Sequence, residues 1–226
     1  MTALTFPRTM PAAGPAQQVF EPWQVNLSTA ETGGALYSVN FGLKRWKADW
    51  TLGKGISTAV SDEWRAFLAS LSGAGRTFLG YDYERPSGSK LYPAGFEAAF
   101  SWDGDCASWS TAIDTASGLP LLSLGGLPAG LQISLGDYCG FRWETLGVER
   151  RHMVRFLEAA TADGSGAITD VAIVPGVFGG VVPEDATAHL FEPRCVMRLM
   201  QETQVTAMDR RRVAGARIVA LQDLRA

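Results

Sequence analysis

"GDYCGFRWETLGVERRHMVRFLE", residues 136–158, is the stretch on which the reading of the chain turns. It gathers Asp137, Cys139, Glu144, Glu149, His152 and Glu158, and His152 is one of only two histidines. Acid–base, nucleophilic and metal chemistry use these residue types. The spacing points elsewhere. Cys139, Phe141 and Trp143 alternate with Tyr138, Arg142 and Glu144, which is the period of a strand. In the next strand Val154 and Phe156 take one face while Met153 and Leu157 take the other. A strand apolar on both sides is covered on both sides, by another domain or by a neighbouring subunit. Arg150, Arg151 and Arg155 fit a polar interface or rim.

The chemical alternatives are weaker. His152 has no partner histidine at i+2, i+3 or i+4, the spacings that converge on a metal. Spacing leaves a Cys139–His152 nucleophile pair open, because hairpin partners meet in space, yet no oxyanion hole or orienting third residue is marked. The other histidine, His189, lies in a Pro-flanked loop. Asp103, Gly104 and Asp105 superficially resemble a calcium loop, but the remaining ligands and the closing Glu are missing. "LGGLPAG" (124–130) lacks the helix and lysine of a phosphate cradle. No dinucleotide-binding, P-loop or nucleophile-elbow motif is present. The reading therefore assigns no catalytic, cofactor-binding or metal-binding residue and expects no enzyme and no cofactor.

Outward from this stretch the chain reads as β. Its 226 residues are 46% hydrophobic and 19% charged, which suits a globular chain with a sizeable core. A net charge of −3 leaves no basic field for phosphates, so nucleic acid is not expected as the main partner. No apolar run approaches membrane-spanning length, and the N-terminus lacks the pattern of a secretory signal, so synthesis in the cytoplasm is expected. Cys106, Cys139 and Cys195 are odd in number and far apart, which suits buried thiols.

Residues 119–182, short runs cut by Gly and Asp turns such as Gly136–Asp137 and "DGSG" (163–166), predict a small antiparallel barrel. Within 35–52, Trp46, Ala48, Trp50 and Leu52 share one face, and Arg45, Lys47, Asp49 and Thr51 the other. "AVSDEWRAFLASLSGAG" (59–75) is the one strong helix signal. Val60, Trp64, Phe67, Leu68 and Leu71 form a single stripe, Ser57, Thr58 or Ser61 supplies a cap, Asp62 and Glu63 suit the positive end, and Gly73 is placed to stop it. A strand follows over 76–83, then a turn-rich connection over 84–95. Residues 193–224 predict two long strands in a hairpin, with Arg210, Arg211 and Arg212 near its tip. Pro7, Pro11 and Pro15 make the first sixteen residues an extended arm, either a frayed end or a strap on a neighbouring subunit.

Several of these pieces together resemble a known family. "LTFPRTMPAAGPAQQVFEPWQV" (4–25) and "RWKADWTLGKGISTAVSDEWRAFLASLSGAGRTFLGYDYERP" (45–86) are similar to the N-terminal region of distal tail proteins of long-tailed phages and gene transfer agents. There a strand with alternating tryptophans precedes a W-x-x-F-L-x-x-L-x-G helix and an R-T-F-L strand. "LPAGLQISLGDYCGF" (127–141), "RFLEAATADGSGAITDVAIVPGV" (155–177) and "EPRCVMRLM" (192–200) resemble the second half of the same class. The resemblance implies a mainly β fold with one short flanking helix. A tail-tube-like, ring-forming domain would come from 1–90 with 191–226, and a peripheral barrel from 91–190. It also implies a structural virion protein of the tail tip: a ring, generally a hexamer, joining tail tube to hub or baseplate around a DNA channel without specific DNA binding. The partners implied are copies of itself, the tube protein and hub or baseplate proteins. A glycan-binding module acting through exposed Trp102 and Trp109 is the alternative, and a cysteine or metal hydrolase centred on 136–158 is a third reading.

Overall fold

A computed structural model describes residues 4–30, 34, 36–53, 57–201, 203, 208–209, 212–213 and 216–224. Along it run β1 (Arg8–Thr9), β2 (Gln17–Ala30), β3 (Leu36–Thr51), α1 (Thr58–Ser70), β4 (Phe78–Gly80), α2 (Glu97–Phe100), β5 (Ser108–Ile113), β6 (Pro120–Gly125), β7 (Gln132–Ile133), β8 (Tyr138–Thr145), β9 (Val148–Phe156), β10 (Ala160–Thr161), β11 (Ile168–Val174), β12 (Thr187–His189), β13 (Cys195–Leu199), β14 (Met208–Asp209), β15 (Arg212–Val213) and β16 (Arg217–Gln222). The fold is mainly β.

The first sheet has six strands in the order β1-β4-β13-β16-β3-β2 and draws on both ends of the chain. Its centre follows from the alternation in β3. Trp46, Ala48 and Trp50 are fully buried on one face, while Asp49 on the other pairs with Arg217 of β16. Helix α1 lies over the apolar face. Ser57 caps it by accepting from the Val60 N–H at 3.3 Å, and Trp64, Phe67, Leu68 and Leu71 turn inward. Phe67 meets Phe78 edge-on, and Phe78 meets Trp50. The helix ends where Ser72 and Gly73 take positive φ. Asp62 and Glu63 fall beyond its first turn, so the acidic N-terminal signal is absent.

The N-terminal arm corrects its reading as a frayed end or a strap on a neighbour. It straps this same chain. β1 pairs parallel with β4 at one edge of the sheet, and β2 forms the opposite edge. Between them Trp64 Nε1 donates to Ala13 O (3.0 Å) and Tyr83 Oη donates to Pro11 O (2.7 Å). Arg8 N and Ala16 N donate to Thr77 O (3.2 Å) and Thr51 O (2.9 Å) at its two ends, and between them the proline-rich stretch is held through its carbonyls. Pro22 interrupts the sequence signal of β2, yet it is tolerated because β2 is an edge strand.

The second sheet, in the order β12-β8-β9-β11-β6-β5, is built wholly from residues 108–189. It closes on itself just before β5: Asp105 bridges His189, and Cys106 N donates to Ala188 O (2.8 Å). The result is a small antiparallel barrel around Leu122, Leu131, Phe141, Val154, Phe156 and Ile173. Residues 131–135 contribute only the two-residue β7, paired with β10. The β8–β9 hairpin turns at Leu146–Gly147, both at positive φ, and the turn read at Gly136–Asp137 is the bend into β8, where Asp137 N donates to Ser134 O (3.0 Å). In place of the two long strands expected over 193–224, β13 and β16 are five and six residues long; they pair antiparallel, with the short β14–β15 pair between them in sequence. Arg210 and Arg211 lie outside the described residues, as does the side chain of Arg212.

Candidate functional site

The opening stretch forms the wall between the two sheets. In register, Cys139 faces Val154 and Phe141 faces His152, while Gly140 faces Met153 and Tyr138 faces Arg155. Cys139, Phe141, Val154 and Phe156 fill the barrel. Tyr138 and Met153 enter the core of the first sheet. The cover on the second face is therefore this chain's own other sheet. Phe20, Trp46 and Tyr138 make an aromatic group there, with Trp46–Tyr138 centroids 5.6 Å apart.

His152 is fully buried at this wall. Its Nε2 lies 3.2 Å from Gly176 O, and its Nδ1 lies 3.0 Å from Gln222 Nε2. A carbonyl only accepts, so Nε2 carries the proton and Nδ1 accepts from the Gln222 amide. Gln222 Oε1 in turn accepts from Trp46 N at 3.2 Å, and Trp46 Nε1 donates to Met153 O at 2.6 Å. Backbone pairing of β16 with β3 ends at Leu221–Lys47, and the Gln222 side chain takes over there. Burial lowers the His152 pKa to about 4, so the ring is neutral at pH 7. Nδ1 ties the barrel to the first sheet through Gln222, Nε2 fixes the ring within the barrel through Gly176, and neither nitrogen is left to activate a nucleophile.

The thiols are inert by environment. Cys139 is fully buried, donates to Gly140 O, and has its pKa pushed well up by burial. Burial also raises Cys195, and raises Cys106 to about 12, with Asp105 and Asp103 adding to the effect. His189 leaves its predicted loop for β12 and packs over Gly140. Burial, then Arg142 and Arg151, lowers its pKa to about 4.

The carboxylates serve structure. Asp137 is buried and accepts from Arg85 Nη1 (2.9 Å), Ser89 Oγ (3.0 Å), Lys90 N (2.9 Å) and Ser134 N (2.9 Å). It thereby fastens the 84–95 connection to the barrel. Glu149 pairs with Arg151 and faces Glu144 across the hairpin. Asp103 makes a local turn by accepting from Asp105 N, and Asp105 pairs with Arg142. Among the described residues no group of three or more His, Cys, Asp or Glu is placed to hold a metal.

A cleft of about 560 Å³ opens between β2 and the barrel. Its polar groups bond one another: Arg155 forks onto Glu21, and Asp82 accepts from both Tyr138 Oη and Gln18 Nε2. Trp102 and Trp109 are not the exposed aromatics expected. Trp102 Nε1 donates to Asp105 O (2.9 Å) and Trp109 Nε1 to Ala186 O (2.6 Å), and both rings pack against the barrel core.

The surface feature that sequence reasoning missed is the outer part of the β2–β3 ribbon. Beyond a register shift between Trp23 and Val25, with Gly42 at φ +72°, the two strands continue to Ala30 and Leu36. β16 accompanies β3 only from Lys47 to Thr51. Val25, Leu27, Tyr37, Val39 and Phe41 are all exposed. The signal was available in the alternation of "VNL" and "YSVNF", but the proline and the turn-like "ETGGA" masked the pairing.

No protein-family model matches the chain, and no curated protein matches it in sequence.

Proposed function

We propose that this chain is a structural virion protein of a phage tail tip, resembling a distal tail protein. Its copies form a ring, a hexamer in the family it resembles, that joins the tail tube to the hub or baseplate. DNA passes through the channel without specific contacts, and the chain is not an enzyme. It is made in the host cytoplasm and ends in the virion.

One observation carries this reading. A sheet with one flanking helix is assembled from both ends of the chain, and a closed barrel is inserted between them. That arrangement is what the resemblance implies for a ring unit with a peripheral domain. The buried, internally satisfied state of Cys139, His152 and Asp137 supports a scaffold over a catalyst. The glycan-binding alternative draws no support from Trp102 or Trp109, whose indole N–H groups are donated within the barrel.

Immunogold labelling of intact particles tests the proposal. Antibody against this chain is expected to decorate the end of the tail distal to the head. Label confined to the head, or absent from particles altogether, would overturn it.

A further inference from the structure

A second cleft, of about 550 Å³, lies where the β2–β3 ribbon meets the rest of the first sheet. Trp23 and Arg45 stand opposite each other in the β2–β3 register and both line it. Phe41, Leu43 and Val181 give it an apolar wall, and Asp223, just past the end of β16, adds a carboxylate. Arg45 sets this cleft apart. Among the described residues Arg8, Arg85, Arg151, Arg155, Arg194 and Arg198 are also half-buried, and each is hydrogen-bonded or ion-paired. Arg45 is half-buried with neither. A guanidinium in that position has shed part of its water, and holding it without a counter-charge costs free energy. Lys47 Nζ stands 5.6 Å from the centre of the Trp23 ring and adds positive charge beside the cleft. The Asp223 carboxylate is paired with Arg198, and Asp223 N donates to Val196 O (2.9 Å), which fixes it in place. The uncompensated charge in the cleft is therefore positive.

We infer that this cleft receives the C-terminus of a partner polypeptide whose last residue is apolar. Such an end carries three groups, and the cleft has a feature for each. Arg45 forks onto the α-carboxylate. Asp223 accepts from the last backbone N–H, since a carboxylate takes several hydrogen bonds at once. The terminal side chain packs on Trp23, Phe41, Leu43 and Val181. Other anions fit less well. A phosphate group brings extra negative charge against Asp223. An acidic sugar carries more hydroxyls than this largely apolar wall can bond. A fatty acid lacks the donor that Asp223 accepts. The inference does not depend on the ring reading, and its failure would leave that reading untouched.

Fluorescence polarisation on the full chain tests it, with the dye-labelled peptides Gly-Ser-Gly-Ser-Phe and Gly-Ser-Gly-Ser-Leu, each as the free acid and as the C-terminal amide. The acids are expected to bind, and the amides at least about tenfold more weakly. Arg45→Gln should bring the acids down to the level of the amides, and Trp23→Ala should weaken both forms. Circular dichroism with a melting curve checks that the variants fold. If one does not, the comparison of acid with amide on wild-type protein decides alone. Equal binding of acid and amide, no binding of either up to millimolar concentration, or undiminished binding of the acids by a folded Arg45→Gln variant overturns the inference. A further peptide, Gly-Ser-Glu-Phe-Gly as its amide, carries its carboxylate on an internal side chain. Binding of that peptide as tight as that of the acids overturns the assignment to a chain terminus.

Discussion

Acidification should unfasten the two sheets, and the buried histidines set by how much. His152 and His189 titrate near 4 in the folded chain, against 6.5 when free. Their folded pKa values are depressed, so between these limits the unfolded chain binds more protons than the folded one. Stability is full above about pH 6.5 and falls as pH drops towards 4. A gap of that size corresponds to about 3 kcal/mol per histidine at the acid end, with about 2 kcal/mol already lost at pH 5. The mechanism at His152 is specific. Protonation places a donor at Nδ1 against the Gln222 amide, and turning that amide would present NH2 to the Trp46 N–H instead. Asp114 and Asp163 are exposed, and local hydrogen bonds, led by those from Ser117 and Ser165, lower their pKa values. Their contributions are therefore lost only below the ordinary carboxylate value of 3.8, outside this window. Guanidinium unfolding at pH 7.5, 6 and 5 measures the slope directly. His152→Gln and His189→Asn should each remove about half of it, whatever they do to stability at neutral pH. Stability that is level from pH 7.5 to 5, or a full slope in the double variant, would refute the reasoning.

Four further outcomes follow from the packing. Gly140→Ala sets a methyl 2.4 Å from His189 Nε2 in a closed barrel, so a loss of about 2–3 kcal/mol is expected in chemical unfolding. Asp137→Asn removes the charge and one of the two oxygens that share four donors, and sets an NH2 against two of them; it should cost about 2–4 kcal/mol and expose residues 84–91 to limited proteolysis. By contrast Glu21→Ala, which breaks the solvent-exposed ion pair with Arg155, should change stability by less than about 1 kcal/mol in the same assay. The three thiols should resist a thiol-reactive dye in the native protein and react in full once it is denatured.

The β class, the helix and the role of 136–158 were legible because their signals are local. Trp46, Ala48 and Trp50 alternate over a few residues, and Val60 to Leu71 repeat within one helix. Even the two apolar faces of β9 could be read, although the identity of the cover could not. Met153 and Trp46 are distant in sequence, and only the folded chain reveals that each sheet is the other's cover. β5 and β12 were missed because one is mostly exposed and the other is three residues long. The reach of the β2–β3 ribbon was hidden by Pro22, which signals against a strand unless the strand is known to be an edge. Cys139, His152 and Asp137 drew attention by type, while their inertness depends on burial and on partners such as Gln222 and Ser89 from remote segments.

Copies of this chain are proposed to close into a ring. Negative-stain imaging of the purified protein, with two-dimensional averaging, tests it most directly. Annular particles with rotational symmetry and an open centre are expected. Uniform single particles of the 24.3 kDa chain at micromolar concentration would contradict it.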